Sequence, residues 1–199
     1  MKKIHQEDSS VNDLFLERFK RRLHQVKSTI RKEELRRPPN PDLNPTETVT
    51  AILDCLRQPH KPTHLFGFQI LLQSSTPSFH DLLHRSVGAP LAGVPAKDVC
   101  AALEAAFSRP KQQFRILVGQ EEDYYPTFPT DYLDYEDGTC WLECRLRDKR
   151  NDKLLVALGW SLERSKVDGS WLIDAIDWQD FRDSYRPGIG REEWDRICG

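Results

Sequence analysis

The apolar positions of this chain fall into two regimes. Up to Phe107 they recur at three- and four-residue steps, whereas beyond Pro110 they recur at every second residue. The first regime predicts helices. The second predicts strands that each bury one face.

In the helical regime, Val11, Leu14, Phe15, Phe19, Leu23, Val26 and Ile30 form a stripe that predicts a helix over residues 10–35. Ser10 is placed to cap it, with Asp13 three residues on. The opposite side carries Arg18, Lys20, Arg21, Arg22, Lys27, Arg31 and Lys32. Pro38, Pro39 and Pro41 then end the helix and make a stiff, extended linker. A second helix is expected from Asn44 as N-cap and Pro45 at the first helical position, with Val49, Ile52, Leu53 and Leu56 on its apolar side and its end before Pro59. Short helices are expected over 66–72 and 78–85. A stronger one opens at Pro95, with Val99, Leu103, Ala106 and Phe107 on one side.

In the strand regime, Phe114, Ile116 and Val118 alternate, followed by Cys140, Leu142, Cys144 and Leu146. Leu154, Val156, Leu158, Trp160 and Leu162 come next, and then Trp171, Ile173 and Ala175. The polar connections between the last three sets are short, and Asp168-Gly169 suits a hairpin turn. Helices first and an antiparallel meander after them define an α+β fold. The expected organisation is a basic helical arm with its proline linker over 1–41, the α+β domain over 42–180 and a tail over 181–199.

Two stretches of text carry a resemblance. Pro45-Thr46-Glu47-Thr48-Val49, Leu53-Asp54-Cys55-Leu56-Arg57 and Gly67-Phe68-Gln69-Ile70-Leu71-Leu72 form the first. The second is Gly159-Trp160-Ser161-Leu162-Glu163-Arg164 with Gly169-Ser170-Trp171-Leu172-Ile173-Asp174. Together with the order of elements, these resemble uncharacterised plant and algal proteins of the nuclear transport factor 2-like superfamily, over residues 45–178. The resemblance implies a cone in which helices close a curved antiparallel sheet. It implies no single activity, because that superfamily holds isomerases, dehydratases, hydrolases and scaffolds alike.

Composition narrows the class. Five Trp, nine Phe and five Tyr give a 199-residue chain enough aromatic surface for one real core. There is no apolar run of membrane-spanning length and no apolar stretch behind Lys2 and Lys3. The expected location is therefore inside the cell, in the cytoplasm or an organelle such as a plastid, and not secreted. Five cysteines, an odd number, are expected to be reduced. The net charge of −2 hides an asymmetry, since residues 1–40 carry eleven Lys and Arg against six acids while residues 121–199 carry eleven against nineteen.

Candidate chemistry is sparse. His80 and His84 stand four apart, a metal-ligand spacing, but with no evident third ligand they are read as an exposed helix face. Cys140 and Cys144 would lie roughly 13 Å apart along a strand, too far for one zinc, and are read as core thiols. No metal or cofactor is expected. Asp174, beside Leu172, Ile176 and Trp178, is the one candidate catalytic base, with a structural carboxylate as the alternative. Gly188-Ile189-Gly190 lacks the third glycine of a dinucleotide fingerprint and reads as a turn.

Residues 121–138 are the most unusual segment, with seven acids, four tyrosines and no Lys or Arg. They read as one long connection, in which Tyr132, Asp134, Tyr135 and Asp137 would meet a basic partner. On the arm, Leu14, Phe15, Phe19, Arg22, Leu23 and Val26 would dock on a protein groove. The leading expectation is a non-enzymatic interaction module that joins other protein subunits, with a second copy of the chain compatible as partner. Two alternatives stand beside it. One is an enzyme or binder of small molecules using the cone interior; the other is nucleic-acid association through the arm, which the arm's six acids weaken. A basic amphipathic helix of this kind is also compatible with lying on an anionic membrane surface.

Overall fold

The computed structural model describes residues 18–20, 22, 37–89, 93–109, 113–119 and 123–178. The chain divides into two compact units, Met1–Arg37 and Pro38–Gly199. In the first, residues 18–20 and 22 are helical. Phe19 is 58% exposed there. The rest of the expected arm helix, including Leu14, Phe15, Leu23 and Val26, lies outside the described residues, as do the tail over 181–199 and its Gly188-Ile189-Gly190.

In the second unit, helix α1 (Pro45–Arg57) starts where local chemistry fixes it. Asn44 Oδ1 accepts from the Glu47 amide at 2.9 Å, and Glu47 Oε2 accepts from the Asn44 amide at 3.0 Å. This reciprocal box satisfies amides that the first turn leaves without carbonyl partners. The expected stripe of Val49, Ile52, Leu53 and Leu56 is fully buried. Helix α2 (Phe66–Gln73) follows after a turn and crosses α1 at Gly67, where a Cβ would lie 2.3 Å from the Cys55 carbonyl oxygen. Only glycine fits that approach. Helix α3 (Pro77–Ser86) is capped by Thr76, whose Oγ1 accepts from the Phe79 amide at 3.2 Å, and α4 (Ala96–Phe107) buries Val99, Cys100, Leu103 and Phe107.

The expected strand through Phe114, Ile116 and Val118 is instead a 3-10 helix, Gln113–Val118. No strand of the sheet pairs with it. The burial it achieves follows a three-residue turn, with Leu117 and Val118 inside and Phe114 stacked on Phe107 at 4.8 Å between ring centroids.

The sheet is antiparallel throughout. Its strands are β1 (Tyr124–Thr127), β2 (Leu133–Asp134), β3 (Thr139–Asp148), β4 (Leu154–Arg164) and β5 (Trp171–Trp178), in the order β1-β3-β4-β5. The short β2 pairs with the first half of β3, Leu133 opposite Trp141, and β1 with its second half, Tyr124 opposite Asp148. Both lie in the segment expected to be a single connection. Their edge positions on β3 satisfy backbone groups that a free loop would leave to water. Pro126 conceals β1 in the sequence, since proline is confined to edge strands. Tyr124 is buried, and its hydroxyl donates to the Leu117 carbonyl at 2.8 Å.

Alternation puts Cys140, Leu142, Cys144 and Leu146 of β3 inside, with Val156, Leu158, Trp160 and Leu162 of β4. On β5 the register slips. Ser161 faces Ala175 but Leu162 faces Ile173, so Asp174 is an extra, unpaired residue. The bulge changes which positions face inward after it: Ile176 and Trp178 pack against the core, in place of the expected Ala175. The turn between α2 and α3 runs beside β5. Ile173 N donates to Ser74 O at 2.7 Å and Thr76 N donates to Ile173 O at 2.8 Å, tying the helices to that strand.

Candidate partner-binding edge

The β2–β3 hairpin is built by its own carboxylates. Tyr135 N donates to Thr139 O at 3.1 Å, closing the turn, in which Glu136 and Gly138 take positive φ of 61° and 88°. Asp134 Oδ1 accepts from the Glu136 amide at 3.0 Å. Asp137 Oδ1 accepts from the Thr139 amide at 2.8 Å and from its hydroxyl at 2.6 Å. Those bonds, the hydroxyl's first, hold the Asp137 carboxyl below the ordinary aspartate range.

This turn leaves large side chains in solvent. Leu133 is 54% exposed and Tyr135 55% exposed, and Asp131, Asp134, Glu136 and Asp137 around them are exposed as well. Directly opposite Leu133 stands Trp141, on the sheet face away from Cys140 and Leu142. Its indole lies against Gly159, where a Cβ would come 2.8 Å from Nε1. A flat aromatic is thus seated opposite an exposed leucine, in a hairpin segment that also exposes four carboxylates. The nearest arginine on the neighbouring strand, Arg164, has its guanidinium over the Trp171 ring, 4.7 Å from the centroid.

The structure treats the residues expected from sequence differently. Tyr135, Asp134 and Asp137 lie at this edge, whereas Tyr132 is partly buried and packed against the core. Trp141 was not expected, although the sequence signals it: it is the one large aromatic in the outward register of β3, among Thr139, Glu143, Arg145 and Arg147. Of the arm residues expected to dock on a partner, Phe19 and Arg22 are described, and both are exposed.

Asp174 is exposed and lies at the bulge. Its Oδ1 accepts from the hydroxyls of Thr76 and Ser78, each at 2.8 Å, so it braces the start of α3. The apolar enclosure on which its reading as a base rested is not what surrounds it. His80 and His84 are neighbours, 4.5 Å between ring centroids, but the helix face they share is not the exposed one expected: His84 is only 5% exposed. Its Nδ1 has no hydrogen-bond partner among the described residues. Burial, and then the proximity of His84, lowers the His80 pKa below its ordinary value.

Among the described residues, Cys55, Cys100, Cys140 and Cys144 form no disulfide. Burial pushes the Cys100 pKa up to about 11 and that of Cys140 to about 12, and raises that of Cys144 further. Groups of that kind are inert core hydrophobes. Among the described residues, no set of three or more His, Cys, Asp or Glu side chains is placed to hold a metal ion, and no helix is long and apolar enough to cross a membrane.

Fold and edge together define a class, an α+β protein with an acidic, aromatic rim on its antiparallel sheet. Beyond that class, no family model matches the chain, and neither the curated proteins nor the solved structures include a match to it.

Proposed function

We propose that this chain is a non-enzymatic protein-interaction module, a subunit or accessory factor of a larger assembly. Its β2–β3 edge would receive a basic segment of another protein that carries an apolar anchor. The observation that carries this reading is the exposure of Leu133, opposite Trp141, and of Tyr135, in a segment that also exposes Asp131, Asp134, Glu136 and Asp137. Aromatic and aliphatic side chains supply contact area at interface centres, and surrounding charge steers the encounter and selects partners of opposite sign.

The arm is the second contact surface in this proposal, supported by the exposure of Phe19 and Arg22. A nuclear transport factor 2-like scaffold is part of the same reading, and helices preceding a bulged antiparallel meander support it.

Affinity capture with the full chain as bait tests the edge. The wild-type chain is expected to retain a basic protein that is lost both from the Leu133→Ala/Tyr135→Ala chain and from one neutralised at Asp131, Asp134, Glu136 and Asp137. With the captured protein in hand, neutralisation should slow association and flatten its salt dependence. The alanine pair should instead speed dissociation. A partner held equally by all three chains would refute the edge.

A further inference from the structure

A second cluster of polar side chains lies away from the sheet, in the turn between α1 and α2. His60 and His64 open and close a five-residue stretch there, with their Nδ1 atoms 3.1 Å apart and their rings edge to face at 4.8 Å. On its other side, His60 Nε2 lies 2.9 Å from Glu104 Oε1 on α4. The carboxylate therefore holds the His60 proton on Nε2 and leaves its Nδ1 an acceptor, facing His64 Nδ1 and reached by the Leu65 amide only at a long 3.4 Å, a contact that an ion would displace.

The turn beneath is well anchored. Lys61 N donates to Gln58 O at 3.0 Å, Phe66 N to Thr63 O at 3.2 Å and Gly67 N to Pro59 O at 3.0 Å. Leu65, which follows the pair, is buried in the core. His60 and His64 are both exposed on this platform.

We propose that the His60 and His64 Nδ1 atoms form a two-nitrogen site for a late first-row divalent cation such as Zn²⁺, with Glu104 as the positioning residue. At Zn–N lengths of roughly 2.0–2.1 Å, two nitrogens 3.1 Å apart subtend an angle of about 100° at a shared ion, within the range of tetrahedral coordination. A carboxylate on the far nitrogen of a ligating histidine is the arrangement that fixes tautomer and ring orientation in metal sites. Binding needs the His64 proton on Nε2, which faces solvent and can take it up there. Water completes the coordination, so the ion is exchangeable. This inference is independent of the acidic edge.

The test is calorimetric titration of the full chain with Zn²⁺, together with spectra that resolve the imidazole nitrogens. One equivalent is expected to bind and to move the Nδ1 resonances of His60 and His64. His64→Ala, an exposed change that leaves the fold intact, should abolish that binding. Glu104→Gln should weaken it by roughly tenfold or more, and His80→Ala should leave it unchanged. The proposal is overturned if no saturable binding occurs, or if binding survives in His64→Ala at wild-type strength. Zn²⁺ binding that His80→Ala removes and His64→Ala does not would place the ion on α3 and overturn it equally.

Discussion

Asp137 shows how much a single exposed carboxylate can organise. Its two bonds to Thr139 favour the ionised form, so its folded-state pKa lies below the unfolded value. The sign follows from linkage: the contribution is present above the unfolded aspartate pKa of about 3.9 and is lost as pH falls through the depressed folded value. In a carbon-detected NMR titration, Asp137 is expected to titrate below the ordinary aspartate range, and Thr139→Val should move it back up. A midpoint that Thr139→Val leaves in place would remove the hydroxyl as the cause. At this scale some residues were legible in the sequence and some were not. Alternation alone placed Cys140 and Cys144 inside, because one sheet face packs on helices. The surroundings of Asp174 were not legible because they depend on a register slip, nor was the burial of His84, because four-residue spacing gives a helix face without saying what covers it.

Elements were legible where local chemistry decides them. The Asn44 and Pro45 start of α1 needs nothing outside its own first turn, and the β3 and β4 alternations are long enough to exclude a helix. Residues 113–118 were misread because period two over five residues is also compatible with a turn that buries two of them. β1 and β2 were invisible because they exist only as partners for β3. Close approach between elements left its mark in glycines. Gly67→Ala places a methyl against the Cys55 carbonyl and the Pro59 backbone, neither of which has a flexible end to move. It is expected to cost about 3 kcal/mol or more in denaturant unfolding. Gly159→Ala meets a side chain, Trp141, and should cost less, about 1–2 kcal/mol, with a change in Trp141 fluorescence. Equal losses at the two sites would contradict the assignment of backbone against side-chain resistance.

For the whole molecule, the buried core of the described residues draws entirely on the second unit, from Leu43 to Ile173. A chain lacking residues 1–37 should keep the unfolding midpoint of the full chain while losing whatever partner binding the arm supplies. A large drop in the midpoint would make the arm part of the fold. Within that unit a line of aromatic contacts runs from Phe68 through Phe107 and Phe114 to Trp178, linking α2, α4, the 3-10 segment and β5. Trp178 joins this line because Asp174 is bulged out of the pairing and so does not count in the alternation. Written without Asp174, β5 would read Trp, Leu, Ile, Ala, Ile, Asp, Trp, an unbroken inside-outside alternation. The extra residue behaves as an insertion that the strand absorbs without changing parity at either end. Deleting Asp174 should therefore leave Trp178 against Phe114, with losses confined to the hydroxyls of Thr76 and Ser78, whereas deleting Ala175 should also remove one residue yet leave the aspartate in an outward slot. Both deletions are expected to fold, checked by the near-ultraviolet signal of Trp178, which makes this short stretch of β5 a place where the chain tolerates a change in length without turning its core inside out.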